Sequence, residues 1–169
     1  MEIENFPFKD LEVPLSFLKE SGVRLYRHDN SAIVAKGHTY PIEISTGPYP
    51  GINSDMQPLF AVFGALSRGT SKIVDLRFPG RYGYAEELSR LGVDYEVVGD
   101  MLQINGGKSI AGAEVRALDL RAGIALLLAG LVAAGETIIN EAWQIERGYD
   151  DLLLKLESCG VFVEKIEVH

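Results

Sequence analysis

Leu88-Ser89-Arg90-Leu91-Gly92-Val93 closes a short amphipathic segment, and its skeleton stands twice more, as Leu18-x-x-x-Gly22-Val23 and Leu156-x-x-x-Gly160-Val161. Helices commonly stop at a glycine that turns left-handed, with an apolar residue just beyond it. Each copy therefore reads as a helix end leading into a strand. The copies lie about seventy residues apart, and self-similarity at a fixed interval is the signature of a repeat architecture. Between them, the segments Asp55 to Gly69 and Asp119 to Gly135 read as a second pair of equivalent helices. Arg81 and Arg147 each follow the glycine ending such a helix by twelve residues.

Working outward, the chain reads as follows. A strand at Glu2 to Phe6 precedes a helix from Asp10 to Gly22, then strands at Val23 to Tyr26 and Ala32 to Ala35 around an Asp29-Asn30-Ser31 turn. A strand at Tyr40 to Ser45, the Asp55 helix, a strand at Ile73 to Leu76, a helix at Tyr84 to Leu91 and paired strands at Tyr95 to Val98 and Met101 to Ile104 complete one βαβαββ unit. The order starts again with a strand at Glu114 to Ala117, the Asp119 helix and a strand at Thr137 to Asn140. A loop with Arg147, a helix from Tyr149 to Gly160 and a last strand at Phe162 to Val168 follow. The expectation is one α/β domain over residues 1–169, with about two and a half repeats ending near Gly22, Gly92 and Gly160. Helices packed inward against outward-facing sheets must be unusually apolar, and Ala122 to Ala134 is apolar all round.

Composition narrows the function. A net charge of −8 argues against a broad nucleic-acid or anionic-membrane surface. The single cysteine, Cys159, excludes an intrachain disulfide and a cysteine-based metal site, and reads as a small buried residue. His28, His38 and His169 lack ligand spacing, so no metal or cofactor is expected. No basic-then-apolar leader follows Met1 and no apolar run is long enough to span a bilayer, so a cytoplasmic protein is expected.

Chemistry concentrates in the loops. In Thr46-Gly47-Pro48-Tyr49-Pro50-Gly51-Ile52-Asn53-Ser54-Asp55, rigid turn residues deliver capping residues and a carboxylate to a helix start. Asp119 heads the next such helix, with Arg121 two residues on; Arg81 and Arg147 are flanked by glycine and tyrosine. Helix starts and guanidinium forks both favour phosphate or carboxylate, so a small anionic ligand is one reading. The other is structural: Asp55 and Asp119 cap helices, and Arg81 and Arg147 pair with Glu86, Glu87, Asp150 or Asp151. Gly106-Gly107-Lys108-Ser109 lacks the rest of a phosphate loop and reads as a turn.

The strings Thr46-x-Pro48-Tyr49-Pro50-Gly51-x-x-x-Asp55-Met56-Gln57, Gly80-Arg81, Asp119-Leu120-Arg121-Ala122 and Ile145-x-Arg147-Gly148-Tyr149 resemble the UDP-N-acetylglucosamine 1-carboxyvinyltransferase family in order and spacing. The resemblance implies part of an inside-out α/β barrel of the enolpyruvate transferase type. It also implies an enzyme that moves the enolpyruvyl group of phosphoenolpyruvate to the 3-hydroxyl of UDP-N-acetylglucosamine, releasing phosphate, in peptidoglycan precursor synthesis. By the same resemblance Asp55 contacts that hydroxyl as its base and Arg147 lies at the phosphoenolpyruvate end. Arg81, Asp119 and Arg121 line the cleft, and Arg77 takes the place of an apolar residue touching the uridine nucleotide. Arg77 and the Phe78-Pro79 after it depart from the family's usual residues, which opens the alternative of another nucleotide or sugar acceptor. Only the C-terminal part of the family is matched. The expected partners are therefore nucleotide sugar, phosphoenolpyruvate, and an N-terminal half of the same enzyme or a further copy of this chain, unless the chain is a non-catalytic binding module.

Overall fold

The computed structural model describes residues 1–166. Strand β1 (Glu2–Ile3), helix α1 (Glu12–Glu20) and strands β2 (Arg24–His28) and β3 (Ser31–Ala35) come first. They build an antiparallel sheet in the order β1-β3-β2. Next come β4 (Glu43–Ser45), a 3₁₀ turn (Ser54–Met56), α2 (Gln57–Leu66), β5 (Thr70–Val74), α3 (Gly83–Arg90), β6 (Asp94–Val98) and β7 (Met101–Asn105). Here β4 runs parallel to β5, and β5, β7 and β6 continue antiparallel in the order β4-β5-β7-β6. Finally β8 (Glu114–Arg116), α4 (Leu120–Val132), β9 (Ile138–Asn140), α5 (Trp143–Glu146) and α6 (Leu152–Ser158) follow, with β8 parallel to β9. The middle sheet is one whole βαβαββ unit. The first sheet repeats its second half, and the last repeats its first half.

The glycines that punctuate this order do what left-handed turns require: Gly22, Gly92 and Gly160 have φ of +88°, +92° and +79°. Val23, Val93 and Val161 each donate a backbone hydrogen bond to the leucine five residues earlier. In the core α2 lies between α4 and the inner face of β5 and β7, while α3 packs on β8 and α4. Phe60, Ala61 and Ala65 from α2 meet Ile73, Leu102 and Ile104 from the sheet and Ala122, Ala125 and Leu126 from α4 in one buried cluster.

Several expectations are corrected. The helix expected from Tyr149 starts only at Leu152, behind Asp151 at φ +50°, because the segment after β9 first makes the extra turn α5. That turn carries Ile145 onto Gly123 of α4, where a methyl group would stand 2.5 Å from Ile145 Cγ1. No strand forms from Phe162 onward among the described residues. In the middle unit the equivalent strand β6 is held by β7, whereas no strand among the described residues ladders with residues 161–166, and Phe162 is 91% exposed. Val168 and His169 lie outside the described residues. Cys159 is exposed, because it caps α6, a helix with no buried residue. Helix α4 is buried from Arg121 through Leu127, but Leu128, Leu131 and Val132 at its far end are exposed. No helix among the described residues is long and apolar enough to cross a membrane.

The contact between Gly123 and Ile145 gives a stability test. Alanine in a helix interior ordinarily gains up to ~1 kcal/mol over glycine. Gly123→Ala should instead destabilise the chain by about 1–3 kcal/mol through overpacking, read as a lower urea midpoint. The double variant Gly123→Ala with Ile145→Ala should cost less than the two single losses summed, since the two side chains share one space.

Candidate functional site

The Thr46 loop and the loop after β5 are both irregular, yet they are fixed to one another by a single buried carboxylate. Asp75 is 0% exposed. Its Oδ1 accepts from Thr46 Oγ1 at 2.7 Å and from the backbone N–H groups of Arg77 and Phe78, both at 3.0 Å. Its Oδ2 accepts from Ser54 Oγ at 2.6 Å and, at 3.5 Å, from Gln57 Nε2. Its own N–H donates to Tyr82 Oη, which in turn donates to the Asp100 carbonyl at 2.6 Å. Burial alone would push this carboxyl up. The hydrogen bonds from Ser54, Phe78, Thr46 and Arg77 outweigh it and hold the group below its ordinary 3.8. Within the Thr46 loop the Tyr49–Pro50 peptide is cis, and Gly47 N–H donates to Ile52 across the turn.

Between the two loops lies a cleft of about 370 Å³ lined by Asn53, Ser54, Asp55, Arg77, Phe78 and Arg81. This volume lies at the lower end of the range for small-molecule sites. Asp55 does not cap α2. Asn53 caps the 3₁₀ turn ahead of α2, its Oδ1 accepting from the Asp55 N–H at 3.1 Å, and the Asp55 carboxylate is 66% exposed in the cleft. Asp119 does cap α4: its Oδ1 accepts from the N–H groups of Arg121 and Ala122 at 2.9 and 2.8 Å. Its Oδ2 accepts from Arg121 Nη2 at 2.9 Å and lies 3.8 Å from Arg81 Nη2. Burial opposes its ionisation, but the Ala122 and Arg121 hydrogen bonds hold its carboxyl below 3.8.

Arg121 joins the two carboxylates. Its side chain is only 6% exposed, with Nη2 on Asp119 and Nε 3.7 Å from Asp55 Oδ1. Nη1 is buried without a hydrogen-bond partner, as is Tyr84 Oη. Asp55, Arg121, Asp119 and Arg81 thus form one chain of alternating charges whose ends, Asp55 and Arg81, line the cleft. Arg77 stands at its rim, with its guanidinium 5.6 Å from the Phe78 ring centroid, and that of Arg81 at 5.1 Å. The pairings with Glu86 and Glu87 considered from sequence do not form: Glu87 binds Arg90 and the Arg116 N–H instead. Arg147 is not brought into the charge chain. It ends α5, exposed, with Nη1 donating to Gln144 Oε1 at 3.0 Å. Tyr149, two residues on, is close enough for the Asp55 charge to add to burial in pushing its phenol up.

Sequence reasoning assigned no role to Asp75 or Tyr149. The only local signal for Asp75 is a carboxylate directly after an apolar strand; for Tyr149 it is the company of Arg147-Gly148. The Gly106 to Ser109 segment is a turn, with Gly106 and Gly107 N–H groups bonded to Gly69 and Ala65 carbonyls and Lys108 paired with Asp94. Among the described residues no group of three or more His, Cys, Asp or Glu side chains is placed to hold a metal ion.

The family model for EPSP synthase (3-phosphoshikimate 1-carboxyvinyltransferase) matches residues 1–156. The chain is 37% identical over 168 residues to a UDP-N-acetylglucosamine 1-carboxyvinyltransferase of Sorangium cellulosum, covering 98% of this chain and 40% of that protein. It is 46% identical over 126 residues to the protein of the same name from Anaplasma marginale, covering 75% and 29%. Among solved structures it is similar to the enolpyruvyl transferase NikO from Streptomyces tendae, with a TM-score of 0.83, 30% identity, and 94% of this chain and 38% of that one covered. EPSP synthase from Acinetobacter baumannii, at 17% identity and a TM-score of 0.56 over 80% of this chain, shares the fold. The chain therefore spans well under half the length of these relatives.

Asp75 provides the test of the hinge between the loops. Asp75→Asn keeps the shape but presents an amide to groups that donate, and should cost on the order of 2–3 kcal/mol. Because the folded carboxyl lies below its ordinary value, its stabilisation is present above pH 3.8 and is lost as pH falls through the depressed value. Urea titrations from pH 6 to about pH 2 should show a shallower acid loss in Asp75→Asn than in the parent. The residual slope comes from groups such as Asp119, whose shift has the same sign.

Proposed function

The chain belongs to the EPSP synthase (3-phosphoshikimate 1-carboxyvinyltransferase) family, and from that premise we propose that it is the acceptor-binding part of an enolpyruvyl transferase. The transferase moves the enolpyruvyl group of phosphoenolpyruvate to the 3-hydroxyl of UDP-N-acetylglucosamine in the cytoplasm, as a step toward peptidoglycan. The curated relatives carry that name across nearly the whole of this chain. The observation that carries the reading is the alternating run Asp55–Arg121–Asp119–Arg81, whose two ends line one cleft.

In this reading Asp55 takes the proton of the acceptor hydroxyl. Its carboxylate is exposed to the cleft and held by a backbone that Asn53 caps, so it is free to accept from a ligand. Arg121 fixes the carboxylate from behind through Nε, and Asp119 holds Arg121 in place. The new bond joins the acceptor oxygen to the enolpyruvyl carbon, and the bond to phosphate oxygen breaks, so an anion must be stabilised as it leaves. Arg147, exposed at the end of α5, is assigned to that end. The barrel completes only with the family's remaining repeats, which supply further donor-binding residues, so the chain alone is inactive. The exposed Leu128, Leu131 and Val132 of α4 support a partner of that kind.

The test is phosphate release from phosphoenolpyruvate and UDP-N-acetylglucosamine by the chain alone and with the N-terminal part of a relative added. Activity is expected only on complementation, and Asp55→Ala should lower it by ~100-fold or more. Turnover by the chain alone would overturn the incomplete-site assignment. Silence with both parts folded and associated would point to another acceptor.

A further inference from the structure

Helices α2, α3 and α4 start close together. Asp55, just ahead of α2, lies 3.7 Å from Arg121 of α4, and Arg81, just ahead of α3, lies 3.8 Å from Asp119 at the head of α4. At its first or second residue each helix carries a buried polar side chain: Gln57 on α2, Tyr84 on α3 and Arg121 on α4, which are 0%, 3% and 5% exposed. Gln57 Oε1, Tyr84 Oη and Arg121 Nη1 have no hydrogen-bond partner among the described residues. The Tyr84 hydroxyl feels the charges of both neighbouring layers. Burial pushes it well above 10, the Arg121 charge opposes that shift, and Asp75 adds to it.

The orientation of Gln57 is fixed. Its Nε2 faces Asp75 Oδ2 at 3.5 Å, and an ionised carboxylate only accepts, so the amide oxygen turns away from it. The three remaining atoms are therefore one acceptor, one donor and one hydroxyl that serves as either. Buried polar groups are nearly always paired, with protein or with ordered water. Charge selects the occupant. Arg121 already has Asp119 and Asp55, so no excess positive charge is left for an anion, and Gln57 Oε1 would repel one. A cation would face the guanidinium. A small neutral molecule that both donates and accepts suits all three atoms, and water ordinarily takes about three such partners in a protein interior.

We propose that Gln57, Tyr84 and Arg121 hold one internal water molecule where the three helix starts meet, and that through it Tyr84 is a positioning residue for the Arg121 guanidinium. The water accepts from Arg121 Nη1 and Tyr84 Oη and donates to Gln57 Oε1. It joins the Asp75 carboxylate beneath the loops, reached through Gln57, to the run Asp119–Arg121–Asp55. The water site is independent of the enolpyruvyl-acceptor reading above; its effect on Asp55 as a base rests on that reading.

The test is a high-resolution crystal structure of the full chain, together with NMR spectra of the Arg121 guanidinium in the parent, Tyr84→Phe and Gln57→Met. Density for one water is expected at ~2.7–3.2 Å from all three atoms. Held on both sides, the guanidinium should show separate Nη1 and Nη2 resonances. Tyr84→Phe should merge them, as rotation about the Nε–Cζ bond quickens by about tenfold or more. A tyrosine that only fills the core would leave them separate in a folded Tyr84→Phe chain. Gln57→Met should merge them too, and it decides the outcome if Tyr84→Phe does not fold. A direct bond from Arg121 Nη1 to either of the other two side chains, an anion in place of the water, or resonances unchanged in the folded variants overturns the proposal. With the N-terminal part of a relative added, Tyr84→Phe should lower kcat about tenfold while the KM for UDP-N-acetylglucosamine holds. An equal kcat overturns the positioning role. No turnover even by the complemented parent overturns the acceptor reading instead, and the density and the Arg121 resonances still decide the water site.

Discussion

The shape of the cleft depends on one carboxylate buried beneath it. Asp75 receives donors from three places in the chain, Thr46 at the start of the first loop, Ser54 at its end, and Arg77 with Phe78 in the second. Loops at a protein surface usually vary independently of each other. Here both walls are tied to the same two oxygen atoms at the end of β5, and β5 is a central strand of the one unit that is complete among the described residues. A buried charge is tolerable only when its hydrogen-bonding capacity is filled, and filling it draws the two loops together. The spacing between Asp55 and the arginines opposite is in this sense set by an ionised group beneath the site.

The site has a second tier of charge built on the same logic. Arg121 is nearly as buried as Asp75 and has its counter-charges on two elements, Asp119 at the head of its own helix and Asp55 on the neighbouring turn. Desolvating a guanidinium is costly unless it is paired, so the two carboxylates that attract ligand chemistry also satisfy the interior. Asp119 caps its helix as well as pairing with Arg121, whereas Asp55 pairs with Arg121 and caps nothing, since Asn53 caps the turn it stands on.

What was legible in the sequence was local. Glycines at helix ends, Asp119 before an apolar helix, and the seventy-residue recurrence all act over a few positions, and the structure has them where expected. The part that was not legible depends on distant partners. Nothing around Asp75 reveals that its oxygens bond to residues 18 to 29 positions earlier. Nor does Arg121, beside an aspartate at a helix start, announce that it is buried. The last strand failed for the opposite reason: Phe162 to Ile166 has strand composition, but composition makes no strand without a pairing edge. The extra turn α5 was hidden because a single buried contact, Ile145 on Gly123, decides it.

Among the described residues the three sheets share no strand ladder: each is laddered within itself, and packing, ion pairs and a few loop hydrogen bonds, such as Ala111 N–H to the Leu91 carbonyl, join them. Resistance to local opening should therefore change in steps along the chain. The middle unit, with four strands and α2 sealed against α4, is the slow-opening block. The last segment, with two short strands and an α6 that buries nothing, is the fast one. Asp55, Arg77 and Arg81 stand on the first of these blocks, and Arg147 with Tyr149 on the second. All six residues that line the cleft thus stand on the first block, and Tyr149 of the second comes near enough to feel the Asp55 charge. Amide exchange would register ligand capture mainly as a slowing of the Gln144 to Leu156 stretch, with little change around Asp75.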